Sequence, residues 1–224
     1  MGKASQQAEI DFYWDIGSTN TYFALHLVRP IAARYGAIIR YQPFNLGYVF
    51  RKHDYRLMEE PRAKLSNRRR DLHRWAARYD LPFRMPEQFP IKTSRALRGS
   101  LVARRQGLED AYLDAIFSAY WEQNDPSIAE YSGLARVAGE IGMDAASFES
   151  DCESDEIRDG LAEVTERAMA EGVFGAPTFV IDGEIYWGKD RFEFIEAHLA
   201  GNPALPPGRD KADDRFGDQV RNSR

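Results

Sequence analysis

A serine stands between an apolar, aromatic run and a helix-like segment in the stretch Asp15-Ile16-Gly17-Ser18-Thr19-Asn20-Thr21. A helix N-terminus presents N–H groups without intrahelical partners and a partial positive charge, so an anion set against it is stabilised. A hydroxyl at the same point donates one further hydrogen bond, which favours the charged form of a weak acid. The plainer reading is a surplus of capping residues, because serine, threonine and asparagine are preferred helix N-caps. None of the four histidines, His26, His53, His73 and His198, is adjacent to Ser18 in sequence, so no general base is evident beside it.

A second candidate lies far down the chain, in Gly175-Ala176-Pro177-Thr178. A proline at the mouth of a strand is compatible with a cis peptide bond, which costs little before proline. The alternative is an ordinary trans proline opening an edge strand. The single cysteine, Cys152, excludes both an intramolecular disulfide and a CxxC redox pair. Its acidic surroundings, ESDCESDE, raise a thiol pKa rather than depress it, so an inert helix cysteine is expected.

The elements that must position these residues follow from patterning. With 224 residues, 43% of them hydrophobic, the chain is long enough to bury a sizeable core. Ile10, Phe12 and Trp14 alternate with polar or less buried positions, as in a strand with one covered face. Tyr22 to Tyr35 reads as a helix that Pro30 should kink and Gly36 ends, and Ile38 to Phe44 as a second strand. Together these make a βαβ unit with a parallel pair. From about Leu57 to Gly172 the pattern turns helical. Leu113, Ile116, Phe117, Tyr120 and Trp121 share one face, as do Leu134, Val137, Ala138 and Ile141, and Ile157, Leu161, Val164 and Ala168. Leu81 to Pro90 is too proline-rich for helix and reads as a loop. TFVI, Asp182-Gly183 and EIYW form a hairpin, and Asp190 is expected to cap a final helix through His198. The tail from Gly201 has few large apolar residues and is expected to be mobile.

The charge balance narrows the partners. A net charge of −5 argues against a general nucleic-acid binder, and Arg68-Arg69-Arg70 is expected to be a solvated helix face. No window of eighteen apolar residues and no secretory start is present, so no membrane partner and a soluble cytoplasmic protein are expected.

The segments IDFYWDIGSTNTYFAL, PFNLGYVFRK, DLHRWAARYDLPF, PEQFP and GVFGAPTFVIDGEIYWGKDRFEFIE together resemble the 2-hydroxychromene-2-carboxylate isomerases. That family stands beside the kappa-class glutathione transferases in the DsbA-like branch of thioredoxin folds. The resemblance runs from about Glu9 to Ala200. It implies an α/β, thioredoxin-like fold with a large helical insertion between its βαβ and ββα halves. The thioredoxin-like domain would comprise residues 9–56 and 173–200, the inserted helical subdomain 57–172, and the tail 201–224.

The resemblance further implies a glutathione-dependent isomerase in aromatic catabolism, usually a homodimer, acting by reversible thiolate addition to a small aromatic carboxylate. Glutathione is the implied cofactor, and no metal is expected. Ser18 matches the serine that replaces the first redox cysteine and stabilises the thiolate, while Thr21 stands at the second. Ala176, before a cis Pro177, offers its backbone to the cysteinyl part of glutathione. Trp187, Gly188, Lys189 and Asp190 match the segment holding the γ-glutamyl end, Asp190 through its carboxylate and Lys189 through backbone. The substrate pocket is implied to involve Phe50 and Arg51 from the loop after the second strand, Lys64, and Phe89. Arg51 or Lys64 would meet a substrate carboxylate, and solvent-exposed charges are the alternative for both. Thr19, Asn20 and Asn67 depart from the family's common residues. A kappa-like glutathione transferase and a non-catalytic thioredoxin-like binding module are the rival readings.

Overall fold

The computed structural model describes residues 7–56 and 60–204. Strand β1 (Glu9–Trp14) buries Ile10, Phe12 and Trp14 completely, as the two-residue period demands. Tyr13 is buried as well, so the end of the strand is covered on both faces. Helix α1 (Thr19–Tyr35) carries the chain across to β2 (Ile38–Pro43), which pairs with β1 in parallel. Pro30 lies within α1, which continues to Tyr35 and ends on Gly36 at φ 63°. Strand β3 (Thr178–Ile181) joins the other side of β1 antiparallel, and β4 (Glu184–Trp187) joins β3. The sheet order is β2-β1-β3-β4. Asp182 and Gly183, at φ 49° and 82°, make the tight hairpin turn in which both central residues take positive φ.

Seven α-helices and one 3-10 turn (Pro126–Ala129) separate β2 from β3 among the described residues: α2 (Leu46–Lys52), α3 (Arg62–Tyr79), α4 (Ser94–Arg105), α5 (Glu109–Trp121), α6 (Tyr131–Glu140), α7 (Phe148–Glu153) and α8 (Asp155–Ala170). A last helix, α9 (Phe192–Leu199), follows the hairpin. This is the α/β thioredoxin-like arrangement with its helical insertion. The apolar face expected on α5 is buried in full. The insertion has no separate core: residues of β1, α1, α4, α5, α6 and α8 belong to one continuous hydrophobic cluster.

Two local expectations are corrected. The segment after β2 is not a loop but the short helix α2, whose N-cap Asn45 accepts from the Tyr48 N–H at 3.1 Å. Seven residues are too few to display a helical period. Asp190 does not cap α9, which starts one residue later than a cap at 190 would allow. Arg191 holds the N-cap position without a side-chain cap bond, and the Asp190 carboxylate pairs with Arg191 at 3.0 Å. The Leu57 start of the expected helical region and the expected mobile tail, from residue 205 onward, lie outside the described residues.

The loop between β1 and α1 is held chiefly by the insertion. Asp15, fully buried, accepts hydrogen bonds from Gly17 N–H at 2.8 Å, Leu46 N–H at 2.9 Å and the Thr93 hydroxyl at 3.1 Å. One carboxylate thereby joins the start of α1, the first turn of α2 and the start of α4. Trp121 of α5 adds a bond from Nε1 to the Ile16 carbonyl at 2.9 Å. Thr93 also comes so close to Gly17 that a Cβ there would sit 2.9 Å from its methyl group. Close approach of α4, rather than the tight turn itself, is what requires glycine at this position.

Burial pushes the Asp15 carboxyl up from 3.8 to about 6, against the three hydrogen bonds, which lower it. An unfolded chain releases this proton near pH 4, whereas the folded chain keeps it to about 6. Asp15 therefore favours the fold below pH 4, and that contribution is lost as the pH climbs through 6. The difference amounts to about 3 kcal/mol at ~1.4 kcal/mol per pH unit. Asp15→Asn cannot titrate and leaves one donor facing its amide, a cost independent of pH. Urea unfolding should show the stability advantage of wild type over Asp15→Asn shrinking between pH 4 and pH 7.5. An unchanged difference would mean that this carboxyl ionises normally.

Candidate active site

Ser18 caps α1 with φ −91° and ψ 115°, its Oγ accepting from the Thr21 N–H at 3.4 Å. The same hydroxyl donates to the Ala176 carbonyl at 2.9 Å. The capping and the cradle readings are thus compatible in one side chain. The Ala176–Pro177 bond is cis. The start of α1 carries no acidic side chain in its first turn to offset the positive end of the helix dipole.

A cavity of about 620 Å³ opens over this junction. Five of the expected residues line it: Ser18, Phe50, Phe89, Ala176 and Trp187. Thr19 and Asn20, which depart from the resemblance, line it too. Trp187 lies across Gly175 so closely that a Cβ on that glycine would stand 2.8 Å from the indole Nε1. Glycine at 175 is therefore the condition for Trp187 to form this wall. Its ring also meets Phe174 at 5.1 Å between centroids.

The remaining expected residues are elsewhere. Arg51 lines a second, adjoining cavity of about 380 Å³ that shares Gly17, Leu46 and Phe50 with the first. Lys64 is exposed, lines neither cavity and pairs with Glu60 at 3.0 Å. Lys189 turns towards α3: its Nζ stands 4.2 Å from the Trp75 ring centroid and 3.7 Å from Asp71. Burial lowers its pKa, with Asp71 acting in the opposite direction. Pro177, Gly188, Lys189 and Asp190 do not line the cavity, although the Gly188 N–H donates to the Pro177 carbonyl at 3.0 Å and so ties their turn to its edge.

Arg69 and Arg70 are exposed, as a solvated face requires, and Arg68 is half-buried, but Arg68 and Arg69 have a second role. Both line the main cavity, as do Leu65 and Leu72 of the same helix. These four occupy i, i+3, i+4 and i+7, one face of α3, and the spacing was visible in the sequence. His53, at the end of α2, and Tyr55 and Glu60 also line the cavity. Glu60 accepts from the Tyr55 hydroxyl at 3.0 Å and is paired with both Lys64 and Arg68.

Two hydroxyl and thiol groups fall outside this wall. Thr21 is buried, and its Oγ1 has no partner among the described residues. Cys152 is buried in the insertion, where burial above all pushes its thiol up to about 12. Arg98 acts against that rise, and Asp151, Glu153 and Glu149 add to it.

Residues 9–200 match the DsbA-like thioredoxin domain family. The 2-hydroxychromene-2-carboxylate isomerase of Sphingobium xenophagum is 31% identical over 196 residues, which span 85% of this chain and 97% of that protein. Glutathione S-transferase kappa 1 of Caenorhabditis elegans is 26% identical over 89% of this chain and 94% of its own length. A solved 2-hydroxychromene-2-carboxylate isomerase superposes with a TM-score of 0.76 at 26% identity, covering 94% of this chain and 98% of that one. The chain belongs to the DsbA-like thioredoxin domain family and, within it, to the 2-hydroxychromene-2-carboxylate isomerase relatives.

Proposed function

We propose that this protein is a glutathione-dependent isomerase of a 2-hydroxychromene-2-carboxylate-type intermediate, with Ser18 stabilising the glutathione thiolate. The observation that carries the reading is the Ser18 hydroxyl, placed at the positive end of α1 and bonded to the carbonyl of Ala176, at the floor of an apolar cavity. Glutathione fits the donor set: a hydroxyl and a helix end suit its sulfur, and the backbone of the cis Ala176–Pro177 loop suits a peptide ligand.

When bound, glutathione supplies a thiolate that adds reversibly to an unsaturated substrate, freeing a bond to rotate before elimination returns the isomer and the thiol. The chain's part is electrostatic and positional. A partly buried helix N-terminus contributes up to about 2 kcal/mol to a charge against it, and a hydrogen bond to a charged group about 1.5–3 kcal/mol. Either alone, at about 1.4 kcal/mol per pKa unit, is enough to bring a thiol from about 8.5 towards neutrality. Phe50, Phe89 and Trp187 supply apolar walls for a flat ring system and exclude water from the sulfur. On this reading Trp187, Gly188 and Lys189 hold the γ-glutamyl end through the backbone, and Asp190, exposed beside Arg191, takes its ammonium. A cytoplasmic homodimer acting in aromatic catabolism is the setting this reading assigns.

Ser18→Ala removes the hydroxyl and keeps the helix. Turnover should fall at least tenfold, about the value of one hydrogen bond to a charge; wild-type turnover in the variant would reject Ser18 as the sulfur's partner. Titration of free thiol through a complete reaction separates isomerase from transferase. Thiol should be constant while substrate is consumed, and stoichiometric loss would assign a kappa-like transferase instead. A chain that binds no glutathione in a calorimeter would be a scaffold without this chemistry.

A further inference from the structure

Resting on the reading just given, we infer that Arg69 is the specificity-determining cation of the cavity, taking the carboxylate of an aromatic substrate. Four cations compete for that role, and the structure separates them by what they already touch. Arg51 lines the adjoining cavity. Lys64 lines neither and is paired with Glu60. Arg68 reaches the main cavity, but its guanidinium is engaged by the same Glu60. Arg69 lines the main cavity, and its side chain has no ion pair, hydrogen bond or ring contact among the described residues.

The surroundings strengthen the assignment. Glu60 is the one carboxylate on this wall among the described residues, and it already carries two cations. Its two oxygens already serve those two cations and the Tyr55 hydroxyl, and the charges of Glu60 and Arg68 cancel on this wall, so Arg69 leaves it net positive. Arg69 shares its helical face with Leu65 and Leu72, so the charge stands beside apolar neighbours at the cavity while still open to solvent. A planar guanidinium matches a carboxylate with two parallel hydrogen bonds, and an unpaired one forfeits no existing partner on binding. Recognition is therefore divided: Ser18 and the Ala176 loop address sulfur, and Arg69 addresses the acid group on the opposing helix.

Binding of 2-naphthoate, a flat aromatic carboxylate, and of its neutral amide 2-naphthamide, measured calorimetrically at low salt, tests this without catalysis. Arg69→Gln should weaken 2-naphthoate at least tenfold and leave 2-naphthamide unchanged, while Arg69→Lys, which keeps the charge and loses the planar fork, should fall between. In the isomerase assay Arg69→Gln should raise KM for the carboxylate substrate with little change in kcat. Unchanged 2-naphthoate affinity in Arg69→Gln would overturn the inference. So would a tenfold loss produced by Arg51→Gln or Lys64→Gln instead. A wild-type chain that binds 2-naphthoate through Arg69 yet isomerises nothing with glutathione would defeat the proposed reaction and leave the carboxylate site standing.

Discussion

The hydrogen bond from Ser18 to the Ala176 carbonyl joins residues 158 positions apart and marks the junction on which the site is built. It can form because β3 lies antiparallel against β1, which brings the cis Ala176–Pro177 loop to the end of the strand from which α1 departs. Neither segment makes a cradle alone. A helix N-terminus without the loop is an ordinary cap, and the loop without the helix has no charge to offer. The fold's contribution to chemistry is this adjacency, together with a cavity whose walls come from α2, α3 and the hairpin.

The insertion explains how a loop of four residues is kept in place. Asp15, Ile16 and Gly17 are each held by partners from helices that a minimal βαβ–ββα fold lacks: Leu46 on α2, Thr93 at the start of α4, and Trp121 on α5. The helical residues are therefore more than a cover for the sheet. They fix the backbone that aims Ser18, and through α3 they furnish the wall facing it. A continuous hydrophobic cluster running from β1 into α6 and α8 gives that support its stiffness.

Much of this was legible in the chain because it is local. The βαβ unit, the hairpin with its Asp182-Gly183 turn, the buried face of α5, and the junction at Ser18 each follow from period, turn chemistry or capping. What is not legible shares one cause, that side-chain direction is a tertiary property. A charge run such as Arg68-Arg69-Arg70 reads as a solvated face, and Arg69 is exposed, yet the spacing of Arg68 and Arg69 with Leu65 and Leu72 also sets them at the cavity. Arg51 and Lys64 carry the expected charge, but the structure sets Arg51 in an adjoining cavity and pairs Lys64 with Glu60, which no local pattern reveals. The burial of Asp15 is likewise invisible in the chain, since nothing local reveals three donors arriving from the starts of three helices.

The bond between Ser18 and Ala176 also sets a threshold for whatever occupies the cavity. The serine hydrogen is already given to a carbonyl oxygen, so an incoming atom gains only the difference between its own affinity for that hydrogen and the carbonyl's. A neutral thiol, a poor acceptor, offers less than the carbonyl does and leaves the serine where it is. A sulfur anion offers a charge-assisted bond roughly twice as strong as a neutral one and can win the exchange. On the proposed reading the resting contact is an internal competitor that disfavours the protonated form and admits the ionised one, a discrimination by charge state achieved without any base.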